Sequence, residues 1–130
     1  MDESELLAST FCDRIPGLDR ELENVRHLTF PDPPGSTLLL GVVGEMMVRE
    51  FDNIVGIDQL FSRIEEAVVQ GSERLKTAVC TGLIEALIHQ SDNMPGTWEK
   101  IQPRLGPQSA AYADAWMKFT TTGTIAAPDT

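Results

Sequence analysis

Apolar residues recur at helical spacing along most of the chain. Between Leu39 and Phe51 they fall three or four positions apart, and the same spacing returns between Leu75 and Leu87. Such spacing places side chains on one face of an α-helix, because the helix turns once every 3.6 residues. β-Branched residues never alternate with polar ones over more than a few positions, as they would in a half-buried strand. The sequence therefore predicts an all-α protein.

Proline, glycine and capping residues divide this pattern into about six helices. The stretch from Pro31 to Gly35 must form a loop, since proline lacks an amide proton and disfavours helix in the residue before it. Gly71 is expected to end the fourth helix in the left-handed conformation that glycine adopts most easily. The expected N-caps are Ser36 or Thr37, Asp58, Ser72 and Thr97. The expected helices are Ser4 through Phe11 to a break at Pro16-Gly17, Leu18 to Leu28, Ser36 or Thr37 to about Asp52, Asp58 to Gln70, Ser72 to about His89, and Pro107 to Phe119, with a short helical piece from Trp98 to Gln102.

The chain length and one internal sequence similarity, called here the forty-residue echo, constrain the architecture. A chain of 130 residues with 42% hydrophobic residues can bury one core, so we expect a single domain over residues 1–120 and a flexible tail over 121–130. Gly41 to Met47 is echoed by Thr81 to Leu87, with Glu45 and Glu85 in register forty residues apart. A two-helix repeat has about this length. The domain is expected to be an irregular helical bundle, with a short stack of helix pairs as the alternative.

The charge balance excludes several classes of partner. The formal net charge is -10 at pH 7, and so acidic a chain is repelled by nucleic-acid phosphates and anionic lipid surfaces. We therefore expect no direct contact with nucleic acid or membranes. The N-terminus is acidic, and no apolar run reaches about 18 residues, which argues against a signal peptide and a membrane span. These features predict a cytoplasmic protein, either a monomer or a small homo-oligomer.

Residue patterns typical of catalysis and metal binding are missing. His27 and His89 each lie near a predicted helix end, where an imidazole more often complements the helix dipole than acts as a base. Cys12 and Cys80 are not at zinc-ligand spacing with each other or with the histidines. We therefore expect no enzymatic activity, no cofactor and no bound metal.

Two further motifs are explained better by helix packing or by solvent exposure than by phosphate binding or acid–base catalysis. Gly41 and Gly44 lack the Lys-Ser or Lys-Thr pair of a phosphate loop and fall within an apolar helical stripe, where small residues permit close helix approach. Glu65 and Glu66 are adjacent, so on a helix they point about 100° apart and are poorly placed to share one substrate. A solvated helix face is the default interpretation of this pair.

The excess negative charge is concentrated in one half of the chain. Residues 1–66 contain 14 acidic and 5 basic side chains, whereas residues 67–130 contain 6 and 5. The third and fourth helices and their connection carry most of these acids, and an antiparallel pair would bring them to one edge. Such a surface either provides solubility or binds a basic protein partner. The predicted partner-binding residues are Glu45, Glu50, Asp52, Asp58, Glu65 and Glu66, with Glu85 added because it echoes Glu45.

Two stretches carry a resemblance to known proteins. Thr81 to Leu87 reads TGLIEAL, and Leu105 to Trp116 reads LGPQSAAYADAW. With the small size and acidic charge, these stretches resemble helical bacterial proteins of unassigned function found among candidate toxin-immunity proteins, over about residues 38–119. The resemblance implies an immunity protein that binds one cognate toxin domain in the cytoplasm and blocks its active site. It implies no catalytic residue.

Three functions follow from these observations. The first is a non-enzymatic protein-binding module, specifically an immunity protein that neutralises a toxin domain through an acidic face. The second is a dedicated secretion chaperone or adaptor for an effector protein, which is also small and acidic. The third is a small helical enzyme with a dispersed carboxylate site. A large secreted protein encoded immediately upstream favours the first, and a lone effector with a disordered N-terminus favours the second.

We predict that Cys12 and Cys80 are reduced thiols that react slowly in the native protein. Both lie within apolar helical stripes, so packing should restrict access of a thiol reagent until the chain unfolds. Labelling with and without denaturant tests this expectation. Rapid labelling of both thiols in the native protein would contradict it.

Overall fold

A computed structural model of the protein describes residues 2–119. The helices are α1 (Glu3–Cys12), α2 (Leu18–Thr29), α3 (Ser36–Arg49), α4 (Ile57–Gln70), α5 (73–91), α6 (Thr97–Ile101) and α7 (Pro107–Lys118). Helix α5 is continuous but has three parts, an α-helical start at Glu73–Ala78, a π-helical stretch at Val79–Ile84 and an α-helical end at Glu85–Ser91. Short 3-10 turns occupy Phe51–Asn53 and Gln102–Arg104.

The predicted all-α single domain is confirmed. Residues 2–119 contain seven helices and no strand, against the expected six or so. Within this part of the chain, no helix has the length and apolar character needed to cross a membrane. The predicted tail over 121–130 lies outside the described residues.

The core forms where α3 and α5 pack together, and the other helices cover this pair. Helices α1 and α2 pack against α3, whereas α4 and α7 pack against each other and against α5. Fully buried side chains from the central pair include Leu40, Val43 and Met47 of α3 and Leu83 and Leu87 of α5. These residues belong to the apolar stripes that predicted the helices, so the periodicity also identified the core face.

Two glycines allow α3 and α5 to approach closely. A Cβ atom on Gly44 would lie 2.5 Å from the carbonyl oxygen of Leu83, and one on Gly82 would lie 2.5 Å from that of Thr37. Real Cβ atoms are not found this close to a backbone oxygen. The prediction that glycines in the α3 stripe serve helix packing is therefore confirmed at Gly44.

The π-helical stretch of α5 lies at this crossing and contains Gly82. Its wider turn was not predicted, because the apolar spacing of Leu75, Val79 and Leu83 fits an ordinary α-helix equally well. A π-turn shifts the angular position of every residue that follows. The stretch thus contributes to the direction in which Glu85 and His89 leave the helix.

Several predicted caps are confirmed and others are wrong. Ser72 caps α5, since its hydroxyl accepts a hydrogen bond from the Leu75 amide at 3.1 Å. Pro107 occupies the first turn of α7, as predicted. Gly71 is not left-handed, because its φ is -70°; a Cβ there would instead meet the Ala67 carbonyl oxygen at 2.5 Å.

Glycines replace the remaining predicted caps. Helices α3, α4 and α6 begin after Gly35, Gly56 and Gly96, so Ser36, Asp58 and Thr97 are not caps, and Thr37 is not one either. Gly56 and Gly96 have φ values of 72° and 89°, a conformation that other residues rarely adopt. Helix α3 ends at Arg49 rather than near Asp52, because a 3-10 turn follows it.

Cys12 and Cys80 are both free thiols and half-buried. Burial raises the pKa of each thiol, and neighbouring carboxylates such as Asp19 and Glu85 raise it further. A raised pKa lowers the fraction of reactive thiolate at neutral pH. This environment supports the expected slow labelling of the native protein.

We predict that Gly44→Ala destabilises the fold whereas Gly41→Ala does not. The methyl group at position 44 collides with the α5 backbone, and overpacking of this kind costs about 1–3 kcal/mol. A Cβ at position 41 meets its nearest neighbour, the Gly82 carbonyl oxygen, at an ordinary 3.7 Å. Both changes remove one glycine from the same helix, so Gly41→Ala is a matched control that should be neutral or stabilising by up to about 1 kcal/mol.

Denaturant unfolding measures the free energy of unfolding of both variants. Equal stabilities would show that α3 and α5 can separate without loss and that the glycine crossing is not required.

Candidate partner-binding site

The seven predicted carboxylates do not form one continuous acidic edge. Helix α3 packs mainly against α5, α1 and α2, and α4 packs mainly against α5 and α7. Because α3 and α4 make few contacts with each other, the expected antiparallel pair with a shared edge is wrong. The carboxylates are divided among several environments.

Asp52 and Asp58 form exposed ion pairs with cations from the second half of the chain. Lys100 Nζ lies 3.1 Å from Asp52 Oδ1, and Arg104 Nη1 lies 2.6 Å from Asp58 Oδ1. Both cations also approach the ring of Phe51, at 5.9 Å and 5.6 Å from its centroid. The two aspartates therefore hold the α6 region against the turn before α4.

Glu65 caps helix α7 from a distance in sequence. Its carboxylate accepts hydrogen bonds from the amides of Gln108 and Ser109, both at 2.9 Å, and from the Ser109 hydroxyl at 2.8 Å. Gly106, the N-cap of α7, has no side chain of its own to do this, and the Glu65 side chain lies against it. Burial opposes ionisation of Glu65, but the three hydrogen bonds outweigh it and lower the pKa.

Glu50 makes a hydrogen bond within its own turn, and Glu66 lies at a separate cleft. Glu50 accepts a hydrogen bond from the Asn53 side-chain amide at 3.1 Å, within the turn that follows α3. Glu66 is exposed at a cleft between α1 and α4, where Arg63 also lies. Glu50 and Glu66 thus line two clefts that differ from the one lined by Glu45 and Glu85.

Glu45 and Glu85 both line one groove, which lies between α3 and α5. The groove has a volume of about 340 Å³. Its small and apolar lining comes from both helices and includes Leu38, Gly41, Val42, Gly82 and Ala86. Thr81, His89 and Gln90 add polar groups along α5.

A tyrosine from α7 positions the Glu85 carboxylate. The Tyr112 hydroxyl donates a hydrogen bond to Glu85 Oε2 at 2.5 Å, and both side chains are half-buried. Burial and this hydrogen bond raise the pKa of Tyr112, so the phenol remains a donor at neutral pH. Glu85 is thereby held in place without being neutralised.

The remaining neighbours leave the groove negatively charged. Glu45 has a cation nearby, but Arg49 Nη2 is 3.7 Å from Glu45 Oε2 and both side chains are about half exposed, at 47% and 50%. The exposed His89 packs edge to face against Trp116, with ring centroids 5.2 Å apart. His89 and Trp116 follow Glu85 and Tyr112 by four residues on their helices, so this ring contact is a second one between α5 and α7.

Sequence reasoning found part of this site. The forty-residue echo had singled out Glu45 and Glu85, which the structure brings to one groove. Tyr112 and Trp116 were visible only as an aromatic i, i+4 pair, and His89 only as a helix-end residue. The contact of α7 with the end of α5 was not encoded in any local pattern.

The described residues contain no arrangement suited to a metal ion. Residues 2–119 have no group of three or more His, Cys, Asp or Glu side chains that could hold one. Within the groove, the carboxylates of Glu45 and Glu85 supply hydrogen-bond acceptors and negative charge.

We predict that Glu65→Ala destabilises the protein by about 1–2 kcal/mol at pH 7, the usual cost of losing a helix cap. The folded-state pKa of Glu65 is lowered, so its stabilisation is present above the unfolded-state pKa and is lost as the pH falls through the folded-state pKa. Glu66→Ala, one residue later on the exposed side of α4, is the control. Thermal unfolding from neutral to acidic pH should show a difference between the variants that shrinks in acid; a pH-independent difference would contradict ionic capping.

Comparison with known proteins gives a family but no activity. No curated protein and no solved structure matches the chain. A family model described as Domain of unknown function (DUF7674) matches residues 8–121. Since this match covers most of the sequence, the chain belongs to the DUF7674 family.

Proposed function

We propose that this protein is a non-enzymatic binding module that recognises a basic protein partner through the groove between α3 and α5. The observation that carries the proposal is the convergence of Glu45 and Glu85, from two different helices, on one groove. Glu85 is fixed there by a neutral donor, and the nearest cation to Glu45 is loosely placed at 3.7 Å.

The environments of the other predicted carboxylates support this choice of surface. Asp52 and Asp58 are used in ion pairs, and Glu65 is used as a cap, so each stabilises the fold. Asp52 and Asp58 are well exposed, at 77% and 76% of the side chain, but a partner's cation there competes with Lys100 or Arg104 at short range. In the groove the resident cation is Arg49, at the longer distance of 3.7 Å from Glu45.

The net charge adds a kinetic advantage for a basic partner. At -10, the protein attracts a positively charged surface from a distance, which increases the association rate at low salt. Specific contacts in the groove would then orient the encounter. Charge at the rim acts mainly on association, whereas a desolvated carboxylate acts on dissociation.

In biological terms, we propose that the module is an immunity protein acting in the bacterial cytoplasm. The resemblance of residues 38–119 to candidate immunity proteins suggests this role, and the acidic groove suits a toxin whose active site is basic. Carboxylates of the inhibitor would occupy the positions of substrate phosphates in a toxin that acts on nucleic acid or a nucleotide. Inhibition would therefore be steric and electrostatic.

The test uses the C-terminal domain of a secreted protein encoded immediately upstream, purified and titrated with the full-length chain. We expect tight binding that weakens between about 50 mM and about 200 mM salt, because screening reduces charge attraction. Glu45→Lys and Glu85→Gln should each weaken binding by about tenfold or more, and Glu66→Lys should have little effect. Circular dichroism and melting temperature confirm that each variant is folded.

Co-expression tests the biological role. The wild-type protein should rescue growth of cells that produce the toxin domain, and the two groove variants should rescue it less well. If every variant binds like the parent and salt has no effect, the acidic surface serves solubility alone. Binding would then run through the apolar groups around Trp98, Tyr112 and Trp116.

A further inference from the structure

We infer that the groove between α3 and α5 receives an arginine side chain of the partner, with its guanidinium between Glu45 and Glu85 and its methylene stem on the glycine-lined floor. This inference rests on the proposed function and names the chemistry that the same site recognises. Charge, hydrogen-bonding capacity and shape each support it.

The charge of the groove differs from that of four other clefts on the protein. Its lining includes two carboxylates and neither a lysine nor an arginine. The four other clefts each contain at least one such cation in their own lining, namely Arg63, Arg104, Arg49 and Arg74. An incoming cationic side chain therefore meets two carboxylates in this groove, with Arg49 as the cation beside Glu45, whereas in the other four clefts a cation belongs to the lining itself.

The groove also has unused hydrogen-bond acceptors. An ionised carboxylate has about four acceptor positions. Glu85 accepts one hydrogen bond, from Tyr112 to Oε2, and Oε1 has no donor among the described residues. At Glu45, the distance of 3.7 Å to Arg49 is longer than a good charge-assisted hydrogen bond. A guanidinium supplies five N–H donors and can satisfy both carboxylates at once.

The floor of the groove suits the rest of an arginine side chain. Gly41 has no side chain to fill the groove, Gly82 is buried at its base, and Val42 and Ala86 add apolar surface. Arginine buries its methylene stem on such surfaces while its charged end remains among polar groups.

Arginine fits better than lysine for two physical reasons. Its planar guanidinium is more weakly hydrated than an ammonium group, so partial burial costs less. Its donors also form a fork that can bond two acceptors in different directions, whereas the ammonium acts as a compact point charge. Glu45 and Glu85 come from two different helices of the groove, and the proposal assigns one arm of the fork to each.

The experiment titrates the isotope-labelled full-length protein with N-acetyl-arginine methylamide and follows backbone amide shifts by NMR. The matched probe is N-acetyl-citrulline methylamide, which has nearly the same shape but no charge, and N-acetyl-lysine methylamide is the third. Saturable shifts at Gly41, Gly82 and Ala86 are expected with arginine. Weaker shifts should occur with lysine and none with citrulline.

Substitutions then assign the effect to the two carboxylates. Glu45→Gln and Glu85→Gln should each weaken arginine binding by about fivefold or more, as expected from losing one charged hydrogen bond. Asp52→Asn, which removes a carboxylate already paired with Lys100, should change it by less than about twofold. Glu45 is exposed, so Glu45→Gln provides a test even if the change at Glu85 disturbs the contact with Tyr112.

Three results would overturn the inference: arginine shifts spread evenly over the acidic surface, equal shifts with citrulline, or equal binding by both groove variants and the parent. A failure of the arginine site can be distinguished from a failure of the proposed function. If the upstream-encoded domain binds with the expected salt dependence but the arginine probe misses the groove, only the arginine site is wrong. If the probe occupies the groove but that domain does not bind, the recognition chemistry stands and the immunity role is wrong.

Discussion

The close crossing of α3 and α5 is the contact on which the remaining structure depends. Gly44 and Gly82 bring one helix against the backbone of the other, at distances that leave no space for a methyl group. Side chains such as Val43 and Leu87 can then fill the interior on either side of the crossing. The other helices pack around a pair that is already close, so their positions follow from this contact.

The same crossing produces the groove. Because glycine has no side chain, the surface between the two helices is recessed at Gly41 and Gly82. Glu45 and Glu85 both line this recess. The π-helical stretch ends directly before Glu85, so helix geometry and acid placement are linked at this point. The helix packing and the proposed recognition surface thus depend on the same few residues, Gly82 among them.

The acidic residues differ in the contacts that they make within the fold. Cations from the second half of the chain compensate part of the acidic first half, as Lys100 and Arg104 pair with Asp52 and Asp58. Glu65 is held by the amino end of α7, where the partial positive charge of the helix favours a carboxylate. The groove carboxylates lack equally close cations. A family described only as a domain of unknown function thereby acquires a specific, testable surface.

The sequence by itself determined the all-α class, most helix positions and the core face, because these depend on local propensity and on the 3.6-residue period. Ser72 was predictable as a cap because its partner, Leu75, is three residues away. Only the tertiary structure decided which carboxylates support the fold and which face a groove. Their partners lie 43 to 48 residues away for Glu65, Asp58 and Asp52, and 27 residues away for Glu85. No periodicity encodes such pairs, since they form only when packed helices bring distant segments together.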